Sequence, residues 1–255
     1  MPPVWPLWAD IVGSPLVKLS VLMPVYNEQA TLAAAIKRVL GVDYPCDVEL
    51  VIADDGSTDG TRAILDGVSD ARVVVRHLPA NRGKGAAIRA AAEAATGDYL
   101  VICDADLEYA PEEIPALLAP VLAGEATVVY GSRTFSSNTA FSFWYVLGNK
   151  AVTLAANVLF DSYISDLETC FKLMPLDLYR SLGVHSAGFG LEAEITGKLL
   201  AQGIRPYEVP ISYKARSREA GKKLTWRDGV EALWILSSIR GRSLAARRRE
   251  RVARG

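Results

Sequence analysis

Between Val17 and Asp106 the chain alternates short, unbroken apolar runs with stretches of helical periodicity. LSVLMPVY, VELVIADD, ARVVVRHL and DYLVICDAD read as strands, separated by helices over Thr31 to Leu40, from Gly60, and over Gly85 to Ala95. Continuous apolar runs are what strands covered on both faces show. The alternation therefore predicts an α/β fold with a mostly parallel central sheet flanked by helices. Three strand ends turn abruptly polar, at Tyr26-Asn27-Glu28, Asp54-Asp55-Gly56-Ser57 and Asp104-Ala105-Asp106. Ligands of open α/β sheets lie outside the carboxyl ends of the strands, so that edge is where a site is expected.

After Tyr130-Gly131-Ser132-Arg133 the alternation fades into an aromatic stretch, Phe135 to Tyr145, and a helix predicted from Leu147 to Phe160. EVPISYKAR reads as a late strand. A further helix is expected from Thr225 to Ile239, with apolar positions at Trp226, Val230, Leu233, Trp234 and Leu236. The simplest division is an N-terminal extension over 1–16, one α/β domain over 17–224, and an amphipathic helix with a basic tail over 225–255.

Composition narrows the class. Half of the 255 residues are hydrophobic and 22% are charged, which excludes a disordered or fibrous chain. The mostly apolar stretch Ala151 to Phe160 falls far short of the ~20 residues that cross a bilayer as a helix. The prolines and Asp10 of MPPVWPLWAD do not suit a signal peptide. Three scattered cysteines without a CxxC pair fit a reducing cytoplasm. The net charge of -1 hides a tail, residues 237–255, with seven arginines and one glutamate, so the body is acidic. Such a tail seeks anions.

Asp104-x-Asp106 is the sharpest chemical signal, because two carboxylates can hold a hard cation that in turn holds a diphosphate. Glu108 adds a third oxygen ligand. The same residues also describe a solvated acidic turn. Asp55 to Asp66 has nearly the spacing of a calcium loop but follows a strand rather than a helix. Asn81-Arg-Gly-Lys84-Gly85 looks suited to phosphate yet lacks the P-loop frame. His77 and His185 have no triad partner at recognisable spacing. Arg216, Arg218, Lys222 and Lys223 around Gly221 form either a solvated loop or a clamp for phosphate.

MPVYNE, ADDGSTDGT, NRGKGAA, CDADLE, YGSR, SDLETCFK, EVPISY and R-x-x-x-x-G-K-K follow one another in an order that resembles the family 2 inverting glycosyltransferases. The later motifs are similar to those of the polyprenyl-phosphate glycosyltransferases, the group that includes dolichyl-phosphate-mannose synthase. The resemblance implies a GT-A type nucleotide-diphospho-sugar transferase fold. It places the base and ribose of a nucleotide-sugar donor on Pro24, Tyr26 and Glu28, with Ala53 and Asp55 at the edge of the base. Asp104, Ala105 and Asp106 would line the diphosphate. Mg²⁺ or Mn²⁺ would sit on Asp104, Asp106 and Glu108, and Arg216 and Lys222 would close over the phosphates. A polyprenyl monophosphate acceptor would meet Arg133, with Lys150 the nearest further cation.

An acceptor phosphate with a second pKa near ~6 arrives largely as a dianion and needs no strong general base. Gly190 stands where mannose synthases of this group tend to carry lysine, so the donor is open, with UDP-glucose favoured weakly over GDP-mannose. Two other readings share the motifs: transfer to a soluble hydroxyl acceptor, and a non-catalytic binder of nucleotide-sugar or nucleic acid. An intact Asp104, Asp106 and Arg133 set favours catalysis, and the acidic body argues against nucleic acid. The C-terminal helix and its arginines imply peripheral association with an anionic membrane surface on the cytoplasmic face.

Overall fold

A computed structural model describes residues 18–133, 143–188, 190–214 and 226–253. Seven strands, β1 (Lys18–Val25), β2 (Asp47–Asp54), β3 (Val73–His77), β4 (Tyr99–Ile102), β5 (Val129–Ser132), β6 (Lys172–Pro175) and β7 (Tyr207–Pro210), form one sheet in the order β3-β2-β1-β4-β6-β5-β7. β1 pairs in parallel with β2 and β4, β2 with β3, and β5 with β7, whereas β6 runs antiparallel to both its neighbours. The mostly parallel α/β sheet is the expected one. Leu19, Val21, Leu22, Leu50, Val51, Ile52, Leu100 and Val101 are fully buried, as double-faced strands require.

Register brings the ends of β1 and β2 level, with Val25 opposite Asp54, so the chain leaves them side by side at Tyr26 and Asp55. Ile102, the end of β4, lies opposite Leu22, so the chain from Cys103 to Asp106 runs on beside the last residues of β1. Helices α1 (Leu32–Leu40), α2 (Thr61–Asp66), α3 (Lys84–Ala94) and α4 (Ile114–Leu122) connect the first five strands. The loop GSTDG docks on the turn after β1. Asn27 Oδ1 accepts from the Thr58 amide at 2.8 Å, and Gln29 Oε1 from the Gly60 amide at 2.9 Å. Its acidic spacing thus serves a turn-to-turn contact.

The second half differs from expectation. β6, α6 (Leu176–Ser181) and α7 (Leu191–Ala201) carry no separate signal in the apolar pattern. EVPISYKAR is ladder-paired only through Pro210, beyond which Tyr213 makes an isolated bridge to Tyr109. Helix α5 runs Phe143–Phe160, four residues longer at its start than predicted, and α8 runs Trp226–Ala253, through the arginines. Helix α8 lies against α5 and α7. Its Ala232, Ile235, Leu236 and Ile239 join Val152, Ala156, Phe160, Ala193 and Leu200 in a second apolar cluster. Leu236 is the expected face residue that is buried there, while Val230, Leu233 and Trp234 stay exposed. Gly190 permits the approach, since a Cβ there would lie 2.5 Å from Ile235.

The start of α3 is fixed by contact rather than by a cap. The Gly85 amide donates to the Ala187 carbonyl at 2.7 Å, and a Cβ on Gly85 would lie 2.0 Å from the Ser186 carbonyl oxygen. Gly83 holds φ +92, a region that favours glycine, and its own Cβ would meet Ala187. The glycines of NRGKG are therefore the condition for seating the segment before α7 against α3. Gly85→Ala should cost about 1–3 kcal/mol by overpacking, read as a lower urea midpoint with an unchanged m-value.

Candidate active site

A cleft of about 440 Å³ opens at the carboxyl edge of the sheet. The expected residues Pro24, Tyr26, Glu28, Asp55, Asp104, Ala105, Asp106, Glu108 and Arg133 all line it. Ala53 does not, being fully buried within β2. Lys150 is also displaced from its expected place: it is exposed on α5 and outside the cleft lining, and the neighbouring Asn149 faces the interior instead. Arg216 and Lys222 lie outside the described residues.

Asp55 is almost wholly buried, and its two oxygens accept the amides of Arg82 at 2.9 Å and Gly83 at 2.7 Å. It ties the end of β2 to the loop that launches α3. That loop delivers Lys84, whose Nζ lies 2.9 Å from Asp104 Oδ2 and 2.9 Å from Glu192 Oε1. Burial alone would lower the lysine pKa, but Asp104, Cys170 and Glu192 hold it well above its usual value, so it stays charged.

The turn after β4 is tight, with Leu107 at φ 62, and Asp106 Oδ1 accepts the Glu108 amide at 3.0 Å. The Glu108 carboxylate accepts the Tyr213 hydroxyl in a short hydrogen bond, and its carbonyl accepts the Lys214 amide. Glu108 is thus turned toward the chain after β7 rather than into a three-carboxylate set with Asp104 and Asp106. Among the described residues no three Asp, Glu, His or Cys side chains form a ready metal group. The remaining pair still suits a divalent ion. Asp104 Oδ1 is buried without a hydrogen-bond partner, and Mg²⁺ typically takes one or two carboxylates together with substrate phosphate oxygens.

Arg133, at the end of β5, is gripped by Asp166 from the segment before β6. Nε to Oδ2 is 2.6 Å and Nη2 to Oδ1 is 2.7 Å, a two-pronged pair, with Asn149 Nδ2 donating to Oδ1 at 3.0 Å. Burial would raise the Asp166 pKa, but the guanidinium holds it below the usual range. The Arg133 guanidinium also stands 5.0 Å from the centre of the Tyr213 ring. Sequence alone left Arg133 as a single cation. The fork that aims it comes from residue 166.

Glu168 and Glu192 complete the inner wall. Burial pushes the Glu168 carboxyl up to about 7, with repulsion from Glu192 adding to it and Lys172 and Arg133 opposing it. Lys172 is fully buried, donates to the carbonyls of Leu167 and Thr169, and is pushed down to about 8 by burial. By sequence Lys84 was noted only within a segment suited to phosphate, and Asp166, Glu168, Glu192 and Tyr213 were not singled out. The motifs NRGKGAA, SDLETCFK and EVPISY carry all of them but Glu192, and their roles exist only in contacts across the chain. His77 is a packing residue, with Nδ1 3.0 Å from Asp54 Oδ2.

Residues 20–183 match the model for glycosyl transferase family 2. The chain belongs to glycosyl transferase family 2. A polyprenol monophosphomannose synthase from Mycolicibacterium smegmatis is 31% identical over 91% of this chain and 91% of its own. The low-salt glycan biosynthesis hexosyltransferase Agl6 of Haloferax volcanii is 31% identical over 79% of this chain. An undecaprenyl-phosphate 4-deoxy-4-formamido-L-arabinose transferase of Aeromonas hydrophila is 37% identical over 57%. The chain spans about half the length of these last two relatives. Glucosyl-3-phosphoglycerate synthase of Mycobacterium tuberculosis, solved with Mn²⁺ and UDP-glucose, superposes with TM-score 0.65 at 24% identity over 94% of this chain and 85% of that one. The chain has the GT-A fold.

The raised Glu168 pKa has a stability consequence. An unfolded glutamate titrates near ~4.3, so between there and about 7 the native state holds a proton that the unfolded state lacks. Stability from this group is fully present below that window and lost as pH rises through it. Lys172 acts at higher pH, where its contribution is lost as pH falls from its unfolded value toward about 8. Glu168→Gln should therefore gain on the parent as pH rises from 5 to 8, seen as a growing difference in Tm.

Proposed function

We propose that this glycosyltransferase moves a sugar, with inversion, from a nucleotide-diphosphate donor to a polyprenyl monophosphate. One observation carries the reading: Asp104 and Asp106 line the same cleft as an arginine held in a fixed orientation by Asp166. The arginine suits a phosphate nucleophile, because a guanidinium can bind phosphate through two parallel hydrogen bonds. Relatives named for polyprenol phosphate and undecaprenyl phosphate support the same acceptor.

In this reading Pro24, Tyr26 and Glu28 receive the base and ribose, with Asp55 at the edge of the base. Asp104 and Asp106 would hold Mg²⁺ or Mn²⁺, which when bound neutralises charge that develops on the departing nucleoside diphosphate. Arg216 and Lys222 would close over the donor phosphates. Arg133 orients the acceptor phosphate, whose own negative charge supplies the nucleophile. UDP-glucose is preferred over GDP-mannose as donor.

A second reading is favoured by Glu168. A cleft carboxyl that titrates near neutrality is what a general base for a hydroxyl acceptor needs. The soluble-acceptor synthase that shares the fold makes that chemistry a fair competitor.

A lipid acceptor requires contact with a bilayer. No helix among the described residues is long and apolar enough to cross a membrane. Exposed apolar side chains do line α5, at Phe143, Leu147, Leu154 and Val158, and α8, at Val230, Leu233 and Trp234. With the arginines of α8 these faces would rest on an anionic surface at the cytoplasmic side.

With radiolabelled UDP- and GDP-sugars, transfer should appear in butanol-extractable lipid when undecaprenyl phosphate is supplied. Transfer only to water-soluble acceptors would favour the second reading. Arg133→Lys should keep donor affinity within about twofold and lower lipid transfer by at least ~100-fold, since lysine cannot reproduce the fork. Alanine is the poorer probe there, because it strands buried Asp166.

Replacing Arg247, Arg248, Arg249 and Arg251 with Gln should weaken co-sedimentation with phosphatidylserine vesicles, most at low salt, as each arginine contributes on the order of 1 kcal/mol near such a surface. Unchanged sedimentation would assign membrane contact to the apolar faces alone.

A further inference from the structure

We propose that Tyr213 is a positioning residue for Arg133 and that Glu108 anchors it, so that Glu108 serves the acceptor half of the cleft rather than the metal. The proposal rests on the reading of Arg133 as the cation that meets the acceptor phosphate, and it names what sets that cation's orientation.

Glu108 grips the chain after β7 through both its side chain and its backbone. Its carboxylate accepts the Tyr213 hydroxyl, and its carbonyl accepts the Lys214 amide at 2.9 Å. Other contacts hold the same tyrosine. The Tyr109 and Tyr213 rings meet edge to face with centres 5.1 Å apart, and their backbones form the isolated bridge. One residue earlier, the Ser212 amide donates to the Glu113 carboxylate at 3.0 Å. Tyr213 is accordingly 5% exposed, yet it lines the cleft.

A ring so fixed restrains the cation beside it. Asp166 holds the Arg133 guanidinium along one edge through Nε and Nη2, and such a pair alone leaves the group able to tilt about the line of its two hydrogen bonds. The Tyr213 ring limits the tilt, with its centre 5.0 Å from the guanidinium carbon, where a cation is attracted to an aromatic face. Edge and face are therefore set by different parts of the chain.

The acidic turn is divided to match. Leu107 holds φ 62, uncommon for a leucine, between Asp106 and Glu108. Asp104 Oδ1 is buried without a hydrogen-bond partner, as suits an oxygen that takes an ion, whereas the Glu108 carboxylate already holds a hydroxyl. Through that hydroxyl and its ring, the metal end of the cleft is joined to the acceptor end.

The test separates those two ends. Mn²⁺ affinity would be read from the free-ion electron paramagnetic resonance signal in the presence of UDP or GDP, and KM values for undecaprenyl phosphate and sugar nucleotide from transfer into butanol-extractable lipid. Tyr213→Leu removes the ring and should raise the KM for undecaprenyl phosphate about tenfold, the scale of one cation–π contact. Tyr213→Phe and Glu108→Ala keep the ring but release it. Each should raise that KM about threefold, with the double variant no worse than either because both break the same tie. Glu108→Gln retains an oxygen for the hydroxyl and should restore the parent value. Mn²⁺ affinity and the KM for sugar nucleotide should stay within about twofold throughout. A fall in Mn²⁺ affinity of about tenfold or more in Glu108→Ala would make Glu108 serve the metal and overturn the proposal. An unchanged acceptor KM in Tyr213→Leu and Tyr213→Phe, with Arg133→Lys still defective in lipid transfer, would overturn it too, while leaving Arg133 as the acceptor cation. Lipid transfer by Arg133→Lys equal to the parent's, or none by the parent, would overturn the reading of Arg133 and the proposal with it. Should Tyr213→Leu prove unfolded by circular dichroism, Tyr213→Phe and Glu108→Ala decide.

Discussion

Lys84 is the constraint on which the cleft depends. Its ammonium joins the end of β4, through Asp104, to the first turn of α7, through Glu192, and it can do so only because glycines at 83 and 85 let the segment before α7 press on α3. A buried ion pair is costly to form, and removal of one partner is costlier still because it leaves a charge without compensation. The three elements are therefore held as a unit. Asp55 reinforces it by accepting the amides of Arg82 and Gly83.

Arg133 and Asp166 make a second clamp with the same logic on the other half of the sheet. Here the antiparallel strand β6 matters, since it carries the segment from Asp166 to Cys170 up between β4 and β5 and into the cleft. Lys172 secures that segment from beneath, with its ammonium donating to the carbonyls of Leu167 and Thr169 and standing 4.6 Å from the centre of the Tyr130 ring. Such a lysine rigidifies the loop at the expense of its own basicity. The reacting groups thus sit on strand ends and short braced turns, which suits a site that works by position and charge.

Helix α5 links this interior to the surface. Its inner face supplies Asn149 to Asp166 and packs Val152 and Ala156 beside α8, while Leu147, Leu154 and Val158 face outward. The helix that braces the Arg133–Asp166 pair therefore also presents apolar side chains to the exterior. Helix α8 divides its apolar residues in the same way, with Ile235 and Leu236 inward and Trp234 outward.

The sequence by itself determined the first half of the sheet, because parallel strands covered on both faces read as unbroken apolar runs and their carboxyl ends turn sharply polar at Tyr26, Asp55 and Asp104. Ordered motifs likewise pointed to the family and to Pro24, Tyr26, Glu28, Asp55, the Asp104–Glu108 turn and Arg133 in the cleft lining. What it could not determine was pairing. Glu108 binds Tyr213 rather than joining the aspartates, Lys150 points away while Asn149 braces Asp166, and Ala53 is sealed in β2. Lys84, Glu168 and Glu192 became site residues only through folding. Their roles depend on burial and on distances of about 3 Å between groups 20 to 108 positions apart, quantities that no local periodicity encodes.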